Sequence, residues 1–359
     1  MKIGIEAERA NSDYPTGVEH YAQQLILNLA KIDAQNDYVL YLRTQPAKWF
    51  AGLPSNFKIK ILPFPIFWTQ LRLSWEVLLH PVDSLFIMAS ALPIIHPKNS
   101  IVTIHDIAWD FYPETFGKFT LNYLRFSTWY ACRFANKIIA VSEQTKKDLI
   151  KKYNLDPAKI AVVYHGFDRN TEMEKGSSEE QRLAGSLPKK FVLFLSTLQP
   201  RKNVIGLIDA FIELKKEKQI EHSLVLAGGK GWLYNKIIRK ISEHPEVLYI
   251  GYVQNRFEFL KNADLLVQPS FYEGFGMSIL DAFAAGVPVA CSNVSSLPEV
   301  AGEAAIYFNP NSKQEIKQAI YNVLADRSLH DRLAEKGSER LKLFSWQKCA
   351  EQTLQVLTK

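Results

Sequence analysis

The sequence predicts an α/β protein with two doubly wound domains that face each other across a cleft. With 359 residues, the chain is longer than one hydrophobic core usually organises. Short apolar runs with strand character alternate with helical patterns from end to end. A charged stretch that contains Gly and Ser, but no apolar period, separates these runs into two series.

The first series predicts an N-terminal domain over residues 1–170. Its strand-like runs are almost continuously apolar, which is typical of parallel sheets covered by helices on both faces. These runs are IGIEA, YVLYLR, IVTIHD, KIIAVS and IAVVYH.

Between the first and third runs, the segment FPIFWTQLRLSWEVLL predicts a helix, with Leu71, Trp75 and Leu78 at helical spacing. A core-facing helix is the usual interpretation of this pattern. Its aromatic residues leave an interfacial or acceptor-contacting role as the alternative.

Residues 171–188 lie in the charged stretch and are predicted to link the domains. The second series of runs then predicts a C-terminal domain over residues 189–341. Residues 342–359 predict a final helix, capped by Ser345, that packs back on the N-terminal domain. The second-series runs are FVLFLS, SLVLAGG, VLYIGY, DLLVQPS, VPVACS and AAIYF.

Composition narrows the class of protein. The formal net charge of +6 is dispersed, which suits an anionic small ligand better than nucleic acid. The three cysteines, Cys132, Cys291 and Cys349, are far apart and lie among apolar residues, as expected for buried thiols in a reducing compartment. The longest apolar stretch has 12 residues, whereas a membrane-spanning helix needs about 20. We therefore expect a cytoplasmic protein, with peripheral contact at the inner face of the membrane as an open possibility.

The segment PSFYEGFGMSILDAFAAGVPVA, residues 269–290, predicts an anion site. A strand leads into Gly274-Phe275-Gly276, and a helix begins near Met277. Glycines allow close backbone approach, and the first turn of a helix offers unpaired N–H groups that favour a diphosphate. Asp281 lies about 6 Å further along the helix axis, within reach of ribose hydroxyls. Glu273 precedes the turn, where a sugar joined to that phosphate would lie.

The same segment resembles the Glu-x7-Glu motif of retaining glycosyltransferases with the GT-B fold, the large family 4 group. Other segments resemble that family in order and spacing: TGVEHYAQQL, VTIHDIAWDFYPETF, AVSEQTKKDL, LSTLQPRKNVIGLIDAF, LVLAGGKGW, GYV and SSLPEVAGEAA. The resemblance covers most of the chain. It implies two Rossmann-like domains, the C-terminal one holding a nucleotide-sugar donor and the N-terminal one an acceptor.

The resemblance also implies roles for individual residues. Arg201 and Lys202 would bind the donor diphosphate, Glu273 would contact the transferred sugar, and Asp281 would hold the ribose. Gly17 would let the backbone of the first domain approach the diphosphate, and His105 would line the sugar pocket. The remaining donor-binding residues would be Gly274, Phe275, Gly276, Met277, Ser278 and Val253.

Three positions depart from the family pattern. Asp281 stands where the family usually has the longer Glu, so a small helix shift or a water is expected to complete the ribose contact. Ser196-Thr197 replaces a Gly-Arg pair of many members, which leaves more of the phosphate binding to Arg201. The residues after the fifth run, 165–168, read His-Gly-Phe-Asp instead of Asn-Gly-Val-Asp.

No Asp-x-Asp motif and no cluster with ligand spacing indicates a metal, so we expect a metal-independent enzyme without a cofactor. The predicted reaction is retaining transfer of a hexose to a glycan or lipid-linked acceptor in surface polysaccharide or glycolipid assembly. GDP-mannose is the favoured donor, and a UDP-sugar is second. The alternatives are a sugar-nucleotide 2-epimerase with the same fold and a non-catalytic subunit that binds nucleotide sugars.

Overall fold

The computed structural model describes residues 1–13, 17–168 and 177–359. It divides the chain into two compact units. The N-terminal unit comprises Met1–Phe111, Gly117–Gly166 and Phe344–Lys359, and the C-terminal unit comprises Tyr112–Phe116 and Phe167–Leu343. The α/β class predicted from the sequence is confirmed, because each unit contains one parallel sheet with flanking helices.

The N-terminal unit contains a seven-stranded sheet in the order β3-β2-β1-β4-β5-β6-β7. All neighbouring strands are parallel. The strands are β1 Lys2–Glu6, β2 Asp37–Leu42, β3 Phe57–Ile61, β4 Ser84–Ile87, β5 Ser100–Ile104, β6 Lys137–Ala140 and β7 Ile160–Val162. The helices are α1 Val18–Ile32, α2 Ser74–Leu79, α3 Ala108–Phe111, α4 Lys118–Phe134 and α5 Glu143–Tyr153.

The C-terminal unit contains a six-stranded parallel sheet in the order β10-β9-β8-β11-β12-β13. The strands are β8 Phe191–Leu195, β9 Ser223–Ala227, β10 Val247–Gly251, β11 Leu265–Gln268, β12 Val289–Ser292 and β13 Ala305–Phe308. The helices are α6 Ser178–Gly185, α7 Val204–Lys218, α8 Asn235–Ser242, α9 Phe257–Leu260, α10 Met277–Ala285, α11 Leu297–Ala301, α12 Lys313–Ala325 and α13 Arg327–Leu341.

The predicted linker, residues 171–188, is only partly described. Residues 171–176 lie outside the described chain. Residues 178–185 form α6, which begins with a capping box: the Ser177 hydroxyl accepts from the Glu180 N–H, and the Glu180 carboxylate accepts from the Ser177 N–H. Local capping therefore makes a helix where apolar periodicity gave no signal.

The last helix, α14, spans Trp346–Leu357 and belongs to the N-terminal unit. Ser345 caps it by accepting a hydrogen bond from the Lys348 N–H at 3.1 Å. Trp346 is buried, with its ring 6.3 Å from that of Tyr21 on α1. Gly166 lies so close that a Cβ atom there would be 2.1 Å from the Trp346 nitrogen. The chain therefore needs glycine where it passes this helix.

The interpretation of Leu71, Trp75 and Leu78 as core-facing is wrong. Their side chains are 49%, 58% and 52% exposed, whereas Trp68 and Val77 are buried. Residues Trp68–Leu73 form a π-helical turn before α2. The spacing shows that the three side chains share one side of the helix, but it does not show whether another element covers that side, and in the structure it is exposed. Among the described helices, none is long and apolar enough to cross a membrane.

Candidate functional site

The loop between β11 and α10 forms the frame of the candidate site. It ends at Gly276, whose φ of +103° is a conformation that favours glycine. A Cβ atom at this position would approach the Leu297 side chain to 2.9 Å. Two serines of the next loop hold the centre of the turn: the Glu273 N–H donates to Ser295 Oγ at 3.1 Å, and Ser296 Oγ donates to the Glu273 carbonyl at 2.9 Å.

The Glu273 side chain is the centre of a buried charged cluster. Its Oε1 atom accepts hydrogen bonds from Lys202 Nζ at 2.5 Å, Gln268 Nε2 at 2.7 Å and Ser270 Oγ at 2.7 Å. Arg201 Nη1 lies 3.6 Å from the second oxygen, Oε2. Three residues that the sequence predicted to act together, Arg201, Lys202 and Glu273, are therefore neighbours in the structure.

Both cations come from one short 3₁₀ turn, Pro200–Lys202, after β8. The turn leads into α7 through Asn203, whose φ is +54° and whose Nδ2 donates to the Pro310 carbonyl at 2.8 Å. Arg201 Nη1 also donates to the Tyr272 carbonyl at 2.5 Å, and the Phe271 N–H donates to the Arg201 carbonyl at 2.9 Å. The turn and the Glu273 loop thus hold each other in position.

The electrostatics of the cluster keep Glu273 ionised. Burial by itself raises the pKa of this carboxyl group. The positive charges of Lys202 and Arg201, together with the hydrogen bonds to the carboxylate, outweigh that effect and lower the pKa to about 2. At neutral pH the cluster therefore contains one carboxylate and two cations, and it carries an excess of positive charge that an anion can neutralise.

The N-terminus of α10 lies directly after this cluster in the chain. In the described structure no side chain caps Gly276, and the positive end of the helix dipole remains available to an anion. Phe275 is buried, whereas Met277 and Ser278 are partly exposed. The Ser278 hydroxyl donates to Gln268 Oε1 at 3.2 Å, which ties the first turn of the helix to the cluster.

Asp281 lies in the second turn of α10 and is 3% exposed. Its Oδ2 atom is 2.7 Å from Arg256 Nε, and the Arg256 guanidinium also lies over the Phe257 ring at 5.2 Å. Arg256 follows β10 in the loop that also contains the buried Val253. The shorter acid at position 281 is therefore held by an arginine.

Gly17 and His105 belong to the N-terminal unit. Gly17 is the N-cap of α1, with a φ of +49°, and no atom of the described residues beyond its chain neighbours comes within 4 Å of a Cβ placed there. His105 follows β5 and is partly buried; its Nε2 atom lies 3.0 Å from the Met88 carbonyl, which requires the proton on Nε2. Within the described residues, its Nδ1 atom has no hydrogen-bond partner. Burial lowers the pKa of His105, so this nitrogen is a neutral acceptor.

The unusual histidine at position 165 also belongs to the N-terminal unit. Its ring stacks on Tyr21 at 4.8 Å and lies 5.4 Å from the His105 ring. Burial, followed by the neighbouring histidines, lowers the pKa of His165. A neutral aromatic ring therefore occupies the position where the family commonly has Asn.

Several residues of the site were missed from the sequence. Gln268, Ser270, Ser295 and Ser296 position Glu273, and Arg256 pairs with Asp281. Gln268 and Ser270 gave a usable signal, since both are polar residues at the carboxyl end of a buried strand, directly before the acid. Arg256 gave none, because its partner is distant in sequence. In the part of the chain that the structure describes, no three His, Cys, Asp or Glu side chains are grouped to hold a metal ion.

Solved structures with the same architecture cover the whole chain. Sucrose-phosphate synthase from Thermosynechococcus elongatus matches 99% of this chain and 98% of its own, with a TM-score of 0.77 and 18% identity. WaaG, a glycosyltransferase involved in lipopolysaccharide biosynthesis, matches 100% of both chains, with a TM-score of 0.76 and 14% identity. Anabaena HepE in a complex with UDP-glucose matches 100% of this chain and 99% of its own, with a TM-score of 0.75 and 19% identity. The chain therefore has the GT-B fold of glycosyltransferases.

Sequence comparison gives the family. Residues 177–340 match glycosyl transferases group 1, and residues 15–171 match glycosyltransferase family 4. O-antigen chain mannosyltransferase B of Escherichia coli is 32% identical over 72% of this chain and 69% of its own length. RfbU of Salmonella typhimurium, an O-antigen chain mannosyltransferase, is 27% identical over 63% of this chain and 61% of its own. The chain belongs to the group 1, family 4 glycosyltransferases, as the sequence motifs predicted.

Proposed function

We propose that this glycosyltransferase moves a hexose, with mannose the first choice, from a nucleoside diphosphate sugar to a glycan or lipid-linked acceptor in surface polysaccharide or glycolipid assembly. The observation that carries the proposal is the buried cluster of Arg201, Lys202 and Glu273 beside the N-terminus of α10. Relatives named as O-antigen mannosyltransferases support mannose and GDP-mannose. A UDP-sugar is the second choice of donor, supported by the UDP-glucose complex of HepE.

In this proposal the two cations act on the leaving group. Negative charge develops on the diphosphate as the glycosidic bond breaks, and positive groups already in place stabilise that charge. Lys202 and Arg201 are held in place by Glu273 and by the Tyr272 carbonyl. Together with the N-terminus of α10, these two cations would neutralise the leaving diphosphate, which is the role of the metal ion in metal-dependent enzymes. We therefore propose a metal-independent reaction.

The remaining residues bind the donor sugar and its ribose. Glu273 is proposed to accept hydrogen bonds from the transferred sugar, and Asp281 from the ribose hydroxyls. Because the Glu273 carboxylate already contacts two cations and two neutral donors, it is a poor nucleophile. We therefore propose retention by front-face attack, in which the leaving phosphate accepts the proton of the acceptor hydroxyl.

The acceptor is proposed to be bound by the N-terminal unit, with Gly17 and His105 completing the donor site. Burial lowers the pKa of His105 and favours the neutral imidazole, which suits a position beside an uncharged sugar. Peripheral contact of this unit with a membrane is also part of the proposal.

A panel of nucleotide sugars tests the proposal. Each donor is added to the protein, and the melting temperature is compared with that of the free protein. A donor at about 100 times its Kd stabilises the folded state by about 2.7 kcal/mol. We expect GDP-mannose to give the largest shift and UDP-hexoses a smaller one. The proposal is contradicted if none of the nucleotide sugars shifts the melting temperature.

Product analysis distinguishes the alternative enzyme. Release of free altered sugar without an acceptor would identify a 2-epimerase instead.

A further inference from the structure

Exposed apolar side chains are concentrated on one region of the N-terminal unit. Of the 21 large apolar side chains exposed in the described chain, 13 lie in residues 64–79, 94–95 and 119–134. A soluble surface normally scatters such side chains singly, whereas a large continuous patch marks an interaction site. We call these three segments the apolar face. Its exposed aromatic residues are Phe64, Phe67, Trp75, Phe119, Phe126, Trp129 and Phe134.

Hydrogen bonds show that the three segments are neighbours. Gln70 Nε2 donates to Tyr123 Oη at 3.0 Å, which joins the first segment to α4. The Ile95 N–H donates to Ser74 Oγ at 3.1 Å, and Tyr130 Oη donates to the Ile94 carbonyl at 2.9 Å. The central segment is thus bonded to both of the others, so the three segments lie side by side in the N-terminal unit.

The aromatic side chains of α4 also contact one another. The Phe126 ring lies 5.9 Å from Trp129 and 6.2 Å from Tyr130, and the Tyr130 ring lies 4.7 Å from Phe134. Phe119, at the start of the same helix, is 81% exposed. The Trp129 and Tyr130 rings are amphipathic and are favoured where an apolar phase meets water, and the Phe rings add apolar area that such a phase can bury.

The charge of the apolar face has one sign. Helix α4 contains Lys118, Arg125 and Arg133 and no acidic residue. Arg125 is paired with Asp110 at 3.1 Å, whereas Lys118 and Arg133 are exposed. Residues 63–80 contain a single acid, Glu76, which is buried and paired with Lys60 and Arg72. A partner surface must therefore be apolar with anionic groups around it.

We propose that the apolar face docks on the surface of a bilayer that contains anionic lipids. Its aromatic side chains would enter the boundary between headgroups and acyl chains, with Lys118 and Arg133 at the phosphates. A second copy of this chain fits less well, because two copies of the face would bring like charges together. The inference rests on the proposed function and deepens it, because it assigns the proposed membrane contact of the N-terminal unit to a defined surface and lipid class.

Vesicle binding tests this proposal without donor or acceptor. The full chain is sedimented with vesicles of phosphatidylglycerol and phosphatidylethanolamine, and with vesicles of phosphatidylcholine alone. We expect binding to the anionic vesicles that weakens as salt is added. The double variant Phe119→Glu, Phe126→Glu should raise the lipid concentration for half-binding about tenfold or more. The control Leu343→Glu changes a 51% exposed apolar side chain of the C-terminal unit and should bind like the wild type.

Other results would overturn the proposal. These are wild-type protein that does not bind anionic vesicles at low salt, equal binding to phosphatidylcholine, or unchanged binding by the double variant. A wild-type dimer that the double variant converts to monomer would identify a second copy as the occupant. The melting-temperature shift with nucleotide sugars, measured on the same variants, reports on the proposed function separately, because Phe119 and Phe126 are not among the residues proposed to contact the donor.

Discussion

The ion pair between Lys202 and Glu273 is buried, and burial makes it costly. Removing two charges from water costs several kcal/mol per ion, and mutual attraction often does no more than offset this. Lys202 is 8% exposed and Glu273 is 7% exposed. Such a pair is weak evidence for stability, but it is what an anion site needs: cations held in place before the ligand arrives.

The lowered pKa of Glu273 predicts an acid-sensitive contribution to stability. The pKa of this group is about 2 in the folded protein and 4.5 ordinarily. Its ionisation therefore stabilises the folded state above pH 4.5, and this contribution is lost as the pH falls from 4.5 towards 2. We expect Glu273→Gln to lower the melting temperature at pH 7, by an amount that decreases below pH 4.5.

Thermal unfolding at pH 7, 5 and 3.5 measures this difference. The control is Leu297→Ala, which truncates a fully buried apolar side chain. Because that change removes no titrating group, its effect on the melting temperature should not decrease in acid. A Glu273→Gln difference that is the same at all three pH values contradicts the electrostatic account.

The pair between Arg256 and Asp281 predicts coupled effects on donor binding. Asp281→Asn should raise the KM for the donor several-fold with little change in kcat, because it weakens a contact with the ribose. Arg256→Gln leaves the buried Asp281 carboxylate without the cation 2.7 Å away and should lower stability. The double variant should recover part of this loss, with a coupling energy of about 0.5–3 kcal/mol. Additive effects on melting would show that the two side chains do not interact.

Helix α10 is placed by two glycines with positive φ, one at each end. Gly276 begins the helix at +103°, and Gly286 ends it at +72°. An alanine at either position is strained, which costs about 1 kcal/mol. Only at Gly276 does the new methyl group meet a neighbour, Leu297, and only there does the backbone face the proposed diphosphate.

The matched pair Gly276→Ala and Gly286→Ala separates strain from binding. We expect both variants to be less stable, and only Gly276→Ala to lose the melting-temperature shift with a nucleotide sugar. Calorimetry on both proteins, with and without donor, measures both effects. Equal donor binding by the two variants would remove the start of α10 from the site.

Two of the thirteen strands, β3 and β4, were not predicted from the pattern of apolar residues. Strand β4 lies inside the apolar stretch SLFIMASALPII, where no turn residue marks its end at Ile87. Strand β3 lies at the edge of its sheet, where Lys58 and Ile59 are exposed, and its lysines interrupt the apolar run typical of a central strand. The other eleven strands of the two sheets were predicted, because a parallel sheet covered on both faces requires apolar runs.

The sequence indicated candidate residues for the site but not the contacts between them. Glu273 and Asp281 were recognised through their spacing around a glycine turn, and Lys202 through its place after a strand. The direct pairing of Lys202 with Glu273 was not, because it joins residues 71 positions apart. The Asp281 partner Arg256 was missed for the same reason: pairwise spacing along a chain does not encode which loops meet.

For the whole molecule, family membership and fold agree, and both match the prediction from ordered motifs. The family 4 match ends at residue 171, and the group 1 match begins at residue 177. In the structure, the boundary between the two units lies between Gly166 and Phe167. Each unit also takes a segment from beyond that boundary: residues 344–359 join the first unit, and residues 112–116 join the second. The sequence predicted the first of these assignments, because it places the final helix on the N-terminal domain. It did not predict the second, since the packing of residues 112–116 depends on segments distant in the chain.

The rate of sugar transfer by Lys202→Ala tests the central claim most directly. The nucleotide sugar that gives the largest melting-temperature shift is incubated with lipid-linked glycan extract, and glycosylated product is measured for the wild type and two variants. The control is Lys317→Ala, which removes another buried lysine. Lys317 pairs with Glu213 at 2.6 Å and is not among the residues proposed to contact a substrate. The account predicts that Lys202→Ala lowers the transfer rate about 100-fold or more while Lys317→Ala stays close to the wild type. Transfer by folded Lys202→Ala at the wild-type rate would contradict it.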